Sequence, residues 1–168
     1  MLQQARRAAP VYSGENNEQI EKILAGLVLL GLASAASAQM KPEEAIKFRQ
    51  SAYGFMAWNM GKIKNSLEGS YNKEEVAKAA HAVAVTANSG MGALYMPGTD
   101  KGTGWKETRV KPEFFKEQEE VGKLARAFNA AANDLDKAAA GGDAAAVKAA
   151  FGKTGESCKA CHDKYRKD

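Results

Sequence analysis

The sequence predicts an all-α chain folded as an antiparallel four-helix bundle. Three observations point there. Alanine is abundant, β-branched residues are sparse, and only four prolines occur in 168 residues, a composition that favours helix. Four segments carry apolar residues at alternating steps of three and four, the seam of packed helices. The breaks between them are short turns, apart from one long crossover loop, as in a bundle. The sequence shows no alternating strand pattern and no repeat longer than the heptad.

Residues 1–38 stand apart from this pattern. ILAGLVLLGLA, residues 23–33, is an uncharged apolar run preceded by Lys22 and followed by SAASA and Gln39. A basic side, an apolar core and an A-x-A-like site make a secretory signal, with cleavage expected after Ala38. The run is too short for a span of roughly 20 residues. Residues 1–19 are polar and of mixed charge, unlike a short basic n-region, and read as a mis-assigned start with the true one near Ile20. Cleavage leaves a mature chain 39–168 of about 130 residues, one domain. Three basic and three acidic residues leave with the signal, so the formal charge of +4 stays. That excess is small and scattered, which argues against nucleic acid. Export implies an oxidising compartment, the bacterial periplasm, and no membrane attachment once the signal is gone.

The first helix is expected from Lys41 to Leu67. Pro42 suits its first turn, and Glu43 and Glu44 suit its positive end. Ile46, Arg49, Tyr53, Met56, Met60, Ile63 and Leu67 form its seam, and Gly69-Ser70 stops it. The second runs from Lys73 to Ser89 on Val76, Ala80, Val83 and Ala87, capped by Asn72 with Glu75 as its capping-box partner. His81 falls off that seam, on the surface. Residues 90–112 hold five glycines and two prolines and form a long loop. Leu94, Tyr95, Met96 and Trp105 within it seek burial. The third helix is expected from Pro112 to Ala140 on Phe114, Gln118, Val121, Ala125, Phe128, Ala132 and Leu135. Gly141-Gly142 stops it and Asp143 caps the fourth. There Val147, Phe151, Thr154, Cys158, Cys161 and Tyr165 share one stripe. Gly152 and Gly155 each cost about 1 kcal/mol against Ala in a helix, so something bulky is expected against that backbone.

The chemistry concentrates in CKACHDKYR, residues 158–166. It holds both cysteines of the chain and one of its two histidines. On a helix, Cys158 and Cys161 share a face and His162 follows one turn after Cys158. Haem c needs that spacing: two thiols add to the porphyrin vinyl groups, and the neighbouring imidazole ligates the iron. A thioredoxin-like dithiol calls for a βαβ setting that is not visible. Zinc wants four ligands, and only His81 remains. A disulfide closing so short a loop contributes little. One covalent haem c on the C-terminal helix is therefore expected.

At this point the chain resembles a known family. KPEEAIKFRQSAYGFM, YMPGTDKG, VKPEFF and FGKTGESCKACHDKYRK all look like cytochrome c prime, the high-spin branch of the class II c-type cytochromes. The resemblance spans 39–168. It implies a homodimeric four-helix bundle with a five-coordinate haem iron that binds NO and CO, in NO handling or electron transfer. In the family, the Arg and Gln of the first helix meet a haem propionate, which maps onto Arg49 and Gln50. A buried arginine needs an anion, and a propionate can pair with it bidentately. Tyr53, one turn on, matches the position facing the sixth site of the iron and fills it without ligating. Arg166 resembles the family's basic residue beside the proximal face. Polarity and position nominate Thr103 as the loop residue that joins Arg49 and Gln50 at the propionates.

The alternative is a low-spin electron-transfer relative with a methionine of the first helix, Met56 or Met60, as sixth ligand; both also serve as flexible core filler. Met91 and Met96 suit the ligand role less. No acid–base pair beside the distal site is visible, so the chain does not read as an enzyme. Phe48, Ala52 and Phe55 form a second stripe on the first helix. Exposed aromatics there suggest an interface, and the family's dimers pack through the first two helices. A redox partner is implied without being identified.

Overall fold

The computed structural model describes residues 40–168. The signal expected over 1–38 lies outside the described residues. Four α-helices occur among the described residues: α1 (Pro42–Glu68), α2 (Lys73–Ala87), α3 (Gln118–Gly141) and α4 (Ala144–Tyr165). None is long and apolar enough to cross a membrane. α1 packs on α2, α2 on α3 and α3 on α4, whereas α1 and α4 meet far less. The all-α bundle is thus observed, and its helices close more firmly in chain order than across the last edge.

The helix ends follow local chemistry. Pro42 opens α1, and the Glu44 carboxylate accepts from the Lys41 N–H at 3.2 Å. Asn72 caps α2 by accepting from Glu75 N at 3.1 Å. Gly142 ends α3 in the left-handed region at φ 78°, where a side chain would be strained. Asp143 caps α4 by accepting from Ala145 N and Ala146 N.

The core divides in two. Ile63, Val76, Ala80, Leu135, Ala139 and Val147 are fully buried at one end of the bundle. Met56, Val83, Ala87, Met91 and Ala132 form a second cluster, flanked by half-buried Ala52, Met60 and Phe128. Small alanines at the first end let the helices approach closely.

Three expectations change. The third helix begins at Gln118, not Pro112. Pro112–Phe115 is a separate 3-10 turn, and the backbone at Glu117 (φ −105°, ψ 48°) is not helical. Phe114 causes the break by turning inward onto Tyr95 and Tyr165. Downstream, Gln118 and Ala125 are exposed, and Val121, Leu124 and Phe128 carry the inner face. In the loop, Trp105 is 70% exposed. Its indole Nε1 donates to Ser51 Oγ at 2.7 Å, and its ring sits beside Lys47, so it clips the outside of α1. Last, nothing lies within 4 Å of a Cβ added at Gly152 or Gly155. Both are exposed on α4 and face no bulky group among the described residues.

Candidate functional site

The last turns of α4 carry the motif. Val147 and Thr154 are fully buried on the inner stripe. Thr154 Oγ1 donates to Ala150 O at 2.9 Å and lies 3.2 Å from Ala131 O, which ties α4 to α3. Past this point burial falls. Cys158 and Cys161 are half-buried free thiols, and His162 is exposed one step round the helix. Burial pushes both thiols up and holds the His162 imidazole below its usual value, with Arg109 adding to the effect.

The helix end is pinned from two sides. Tyr165 is buried and its hydroxyl donates to Glu117 Oε2 at 2.7 Å; that bond, more than burial, pushes the phenol up to about 12. Lys164 Nζ pairs with Glu120 Oε1 at 2.6 Å. The C-terminal tail runs antiparallel to the loop: Lys111 N donates to Tyr165 O at 2.8 Å and Lys167 N to Arg109 O at 2.7 Å. Arg166 belongs to this pairing, opposite Val110. Its Nη1 lies 3.4 Å from His162 Nδ1.

Arg49, 3% exposed, reaches into the loop. Nη1 donates to Thr99 Oγ1 at 2.9 Å and toward Leu94 O at 3.5 Å, while Nη2 donates to Thr99 O at 2.6 Å and Thr108 Oγ1 at 2.5 Å. Burial lowers its pKa from the ordinary guanidinium value. All its acceptors among the described residues are neutral oxygens, so the charge itself is unpaired. Gln50 grips the next part of the loop. Its Nε2 donates to Lys106 O at 2.9 Å, and its Oε1 accepts from Trp105 N at 2.8 Å and Lys106 N at 3.2 Å. Both residues thus bind the loop. Thr103 pairs with Glu107 in an exposed bridge, while Thr99 and Thr108, 0% and 4% exposed, are the threonines that hold Arg49.

Tyr53 is 40% exposed. Its hydroxyl lies 3.1 Å from that of Tyr95. Burial of the phenol group pushes its pKa up. Tyr95 stacks on Phe114 at 4.3 Å and lies against Arg49 at 4.8 Å. The sequence offered Tyr95 as a loop aromatic seeking burial and, with Thr99, as part of YMPGTDKG, without a contact for either. Thr108 sent no signal, because nothing periodic relates a loop position to a helix.

These groups fit a haem. The thiols have the attachment spacing and are unpaired. A buried guanidinium faces no carboxylate among the described residues, and haem brings two. Half-buried Leu94, Tyr95 and Phe128 offer apolar and aromatic surface. No group of three or more His, Cys, Asp and Glu among the described residues could hold a bare metal ion, which disfavours the zinc reading. His81 is exposed and paired with Asp136 at 3.1 Å, away from the motif's chemistry.

The family model for cytochrome c′ matches residues 44–166. The chain is 61% identical over 143 residues to the cytochrome c′ of Allochromatium vinosum, covering 84% of this chain and 93% of that one. A solved cytochrome c′ described as having an unusual ligand-controlled dimer dissociation is similar with a TM-score of 0.76 at 60% identity, covering 78% of this chain and 100% of that one. A nitric oxide complex of a variant cytochrome c′ from Alcaligenes xylosoxidans is similar with a TM-score of 0.68 at 32% identity, covering 77% and 99%.

Proposed function

The chain belongs to the cytochrome c′ family, which carries covalent haem c, and from that premise we propose that Cys158 and Cys161 hold the porphyrin through thioethers and His162 supplies the axial nitrogen. When bound, haem c supplies an iron that takes up diatomic gases and exchanges one electron. The observation that carries the reading is the pair of free, half-buried thiols at the attachment spacing on α4, with His162 directly after them. Tyr53 is in this reading the aromatic, non-ligating wall of the ligand side, so NO or CO enters by moving it. Arg49 brings an unpaired buried charge for a propionate, and Gln50 keeps the loop in place beside it.

A methionine sixth ligand has less support. Met56 is 5% exposed among Val83, Ala87, Met91 and Ala132, and leaving that packing would open a void. A five-coordinate, high-spin iron follows, in a protein that binds gas or passes electrons without turning over a substrate. The signal read in residues 1–38 sends it to the periplasm.

The protein acts as a dimer of identical chains. Phe48, Phe55 and Trp58 are 49–60% exposed on α1, next to half-buried Ala52, and Val85 is exposed on α2. Aromatics of this kind on one surface are the anchors of interfaces. Trp58 extends the stripe expected from Phe48, Ala52 and Phe55, with Phe55 at 5.8 Å and Lys62 over its ring at 4.8 Å.

The absorption spectra of the ferric and ferrous protein, with and without CO and NO, test the proposal. High-spin spectra that change on gas addition support it. A low-spin spectrum indifferent to CO would assign the chain to electron transfer with a saturated iron.

A further inference from the structure

Tyr95 opens the loop motif YMPGTDKG, and it touches the tyrosine proposed above to line the ligand side. Its hydroxyl donates to the Tyr53 hydroxyl at 3.1 Å, across 42 positions of sequence. The two rings are held very differently. Tyr95 stacks on Phe114, centroids 4.3 Å apart and planes 22° apart. Phe114 is in turn buried edge-on against Tyr165 at 5.7 Å. On the other side the Arg49 guanidinium lies 4.8 Å from the Tyr95 centroid, itself fixed by Thr99 and Thr108. Tyr53 has no ring partner among the described residues, and its one side-chain hydrogen bond there is this one.

We propose that Tyr95 is the positioning residue of the gas gate: its hydroxyl latches Tyr53 in place, and an entering ligand must break the Tyr53–Tyr95 hydrogen bond before the Tyr53 ring can move. The inference rests on Tyr53 lining the ligand side, as proposed above. Tyr95 is the fixed half of the latch and Tyr53 the moving half, because only the first has a stack, a cation and a bonded loop behind it. Arg49 thereby serves the gate as well as the buried loop.

Tyr95→Phe isolates the latch, since it keeps the ring and its stack and removes only the hydroxyl. The net worth of one such hydrogen bond corresponds to a change of roughly two- to tenfold. CO association with the reduced haem-loaded protein is measured by stopped flow in the wild type, Tyr95→Phe, Tyr53→Phe and the double variant. Each single variant should bind CO roughly two- to tenfold faster, and the double no faster than the faster single, because both changes remove the same bond. A Tyr95→Phe rate equal to wild type, or a double variant whose effect is the product of the singles, overturns the latch. Urea unfolding of the same four proteins without CO gives a readout independent of gas binding. There the two losses should again fail to add, and strict additivity overturns the latch. If Tyr95→Phe does not load haem, Tyr53→Phe removes the same bond, and its unchanged rate would overturn the latch. A wild type that takes up no CO overturns the gas-binding reading instead, while the unfolding cycle still reports on the bond.

Discussion

The two ends of the bundle share one heptad seam and use it differently. At one end Ile63, Val76, Ala80, Leu135, Ala139 and Val147 meet with no exposure at all. At the other, the same seams carry Arg49 and Tyr53 on α1, Val121 and Phe128 on α3, and Cys158 and Cys161 on α4. Most of these are only half-buried, and Arg49 is buried by a loop instead of a helix. Small aliphatic residues draw helices together. Long aromatic and polar ones hold them apart and take their partners from the crossover loop. The spacing of a seam marks the helices; the size and polarity of its residues mark the site.

The sharpest way to separate the ends is to remove the attachment. Cys158→Ser with Cys161→Ser should abolish covalent haem, read as loss of haem mass and of haem staining in a denaturing gel. Retained covalent haem would break the comparison at its root.

Next in size, one buried side chain can be lost from each end. Leu135→Ala should cost about 2–5 kcal/mol through the cavity it leaves. Arg49→Leu should cost about 2–4 kcal/mol by a different route, leaving Thr99 Oγ1 without its donor and Thr99 O and Thr108 Oγ1 with only their longer bonds from Thr108 Oγ1 and Val110 N. Chemical denaturation measures both. Only Arg49→Leu should also raise proteolysis in the loop 90–112, and equal cleavage in the two variants would erase the distinction.

A smaller effect is expected at Gly104. A Cβ there would lie 2.7 Å from Gln50 Oε1 and 2.8 Å from Ile46 Cγ2 and Lys47 N. Gly104→Ala should lift the loop from α1 and cost about 1–3 kcal/mol. A melting temperature equal to wild type would show that the loop does not need this close approach.

The smallest effect concerns alkaline pH. Burial pushes the phenols of Tyr53 and Tyr95 above the ordinary value of 10.0. The unfolded chain releases these protons near pH 10 and the folded chain keeps them. Their contribution to stability is therefore whole below that pH and declines as pH rises through the folded values. Tyr53→Phe with Tyr95→Phe should flatten the alkaline fall in unfolding free energy; an unchanged slope would place the titration elsewhere.

Much of this was legible in the sequence because local rules governed it. The caps at Asn72 and Asp143, the stop at Gly142 and the inner stripe of α4 are short-range features, and they appear as expected. Arg49 on an apolar seam announced a buried charge. What failed was long-range. Phe114 fits a helical seam by spacing, yet Tyr95 and Tyr165 offer it a better partner, and the helix starts six residues later. Thr103, Thr99 and Thr108 have similar side chains, and only the path of the loop decides which meet Arg49. Gly152 and Gly155 suggested a crowded backbone, and among the described residues no side chain crowds either.

The central claim is that the open end receives a gas against Tyr53. CO association with the reduced protein tests it most directly, in Tyr53→Ala at the open end and Leu135→Ala at the closed one. Tyr53→Ala should bind CO faster than wild type, and Leu135→Ala should lose stability without a change in rate. A Tyr53→Ala rate equal to wild type would contradict the account.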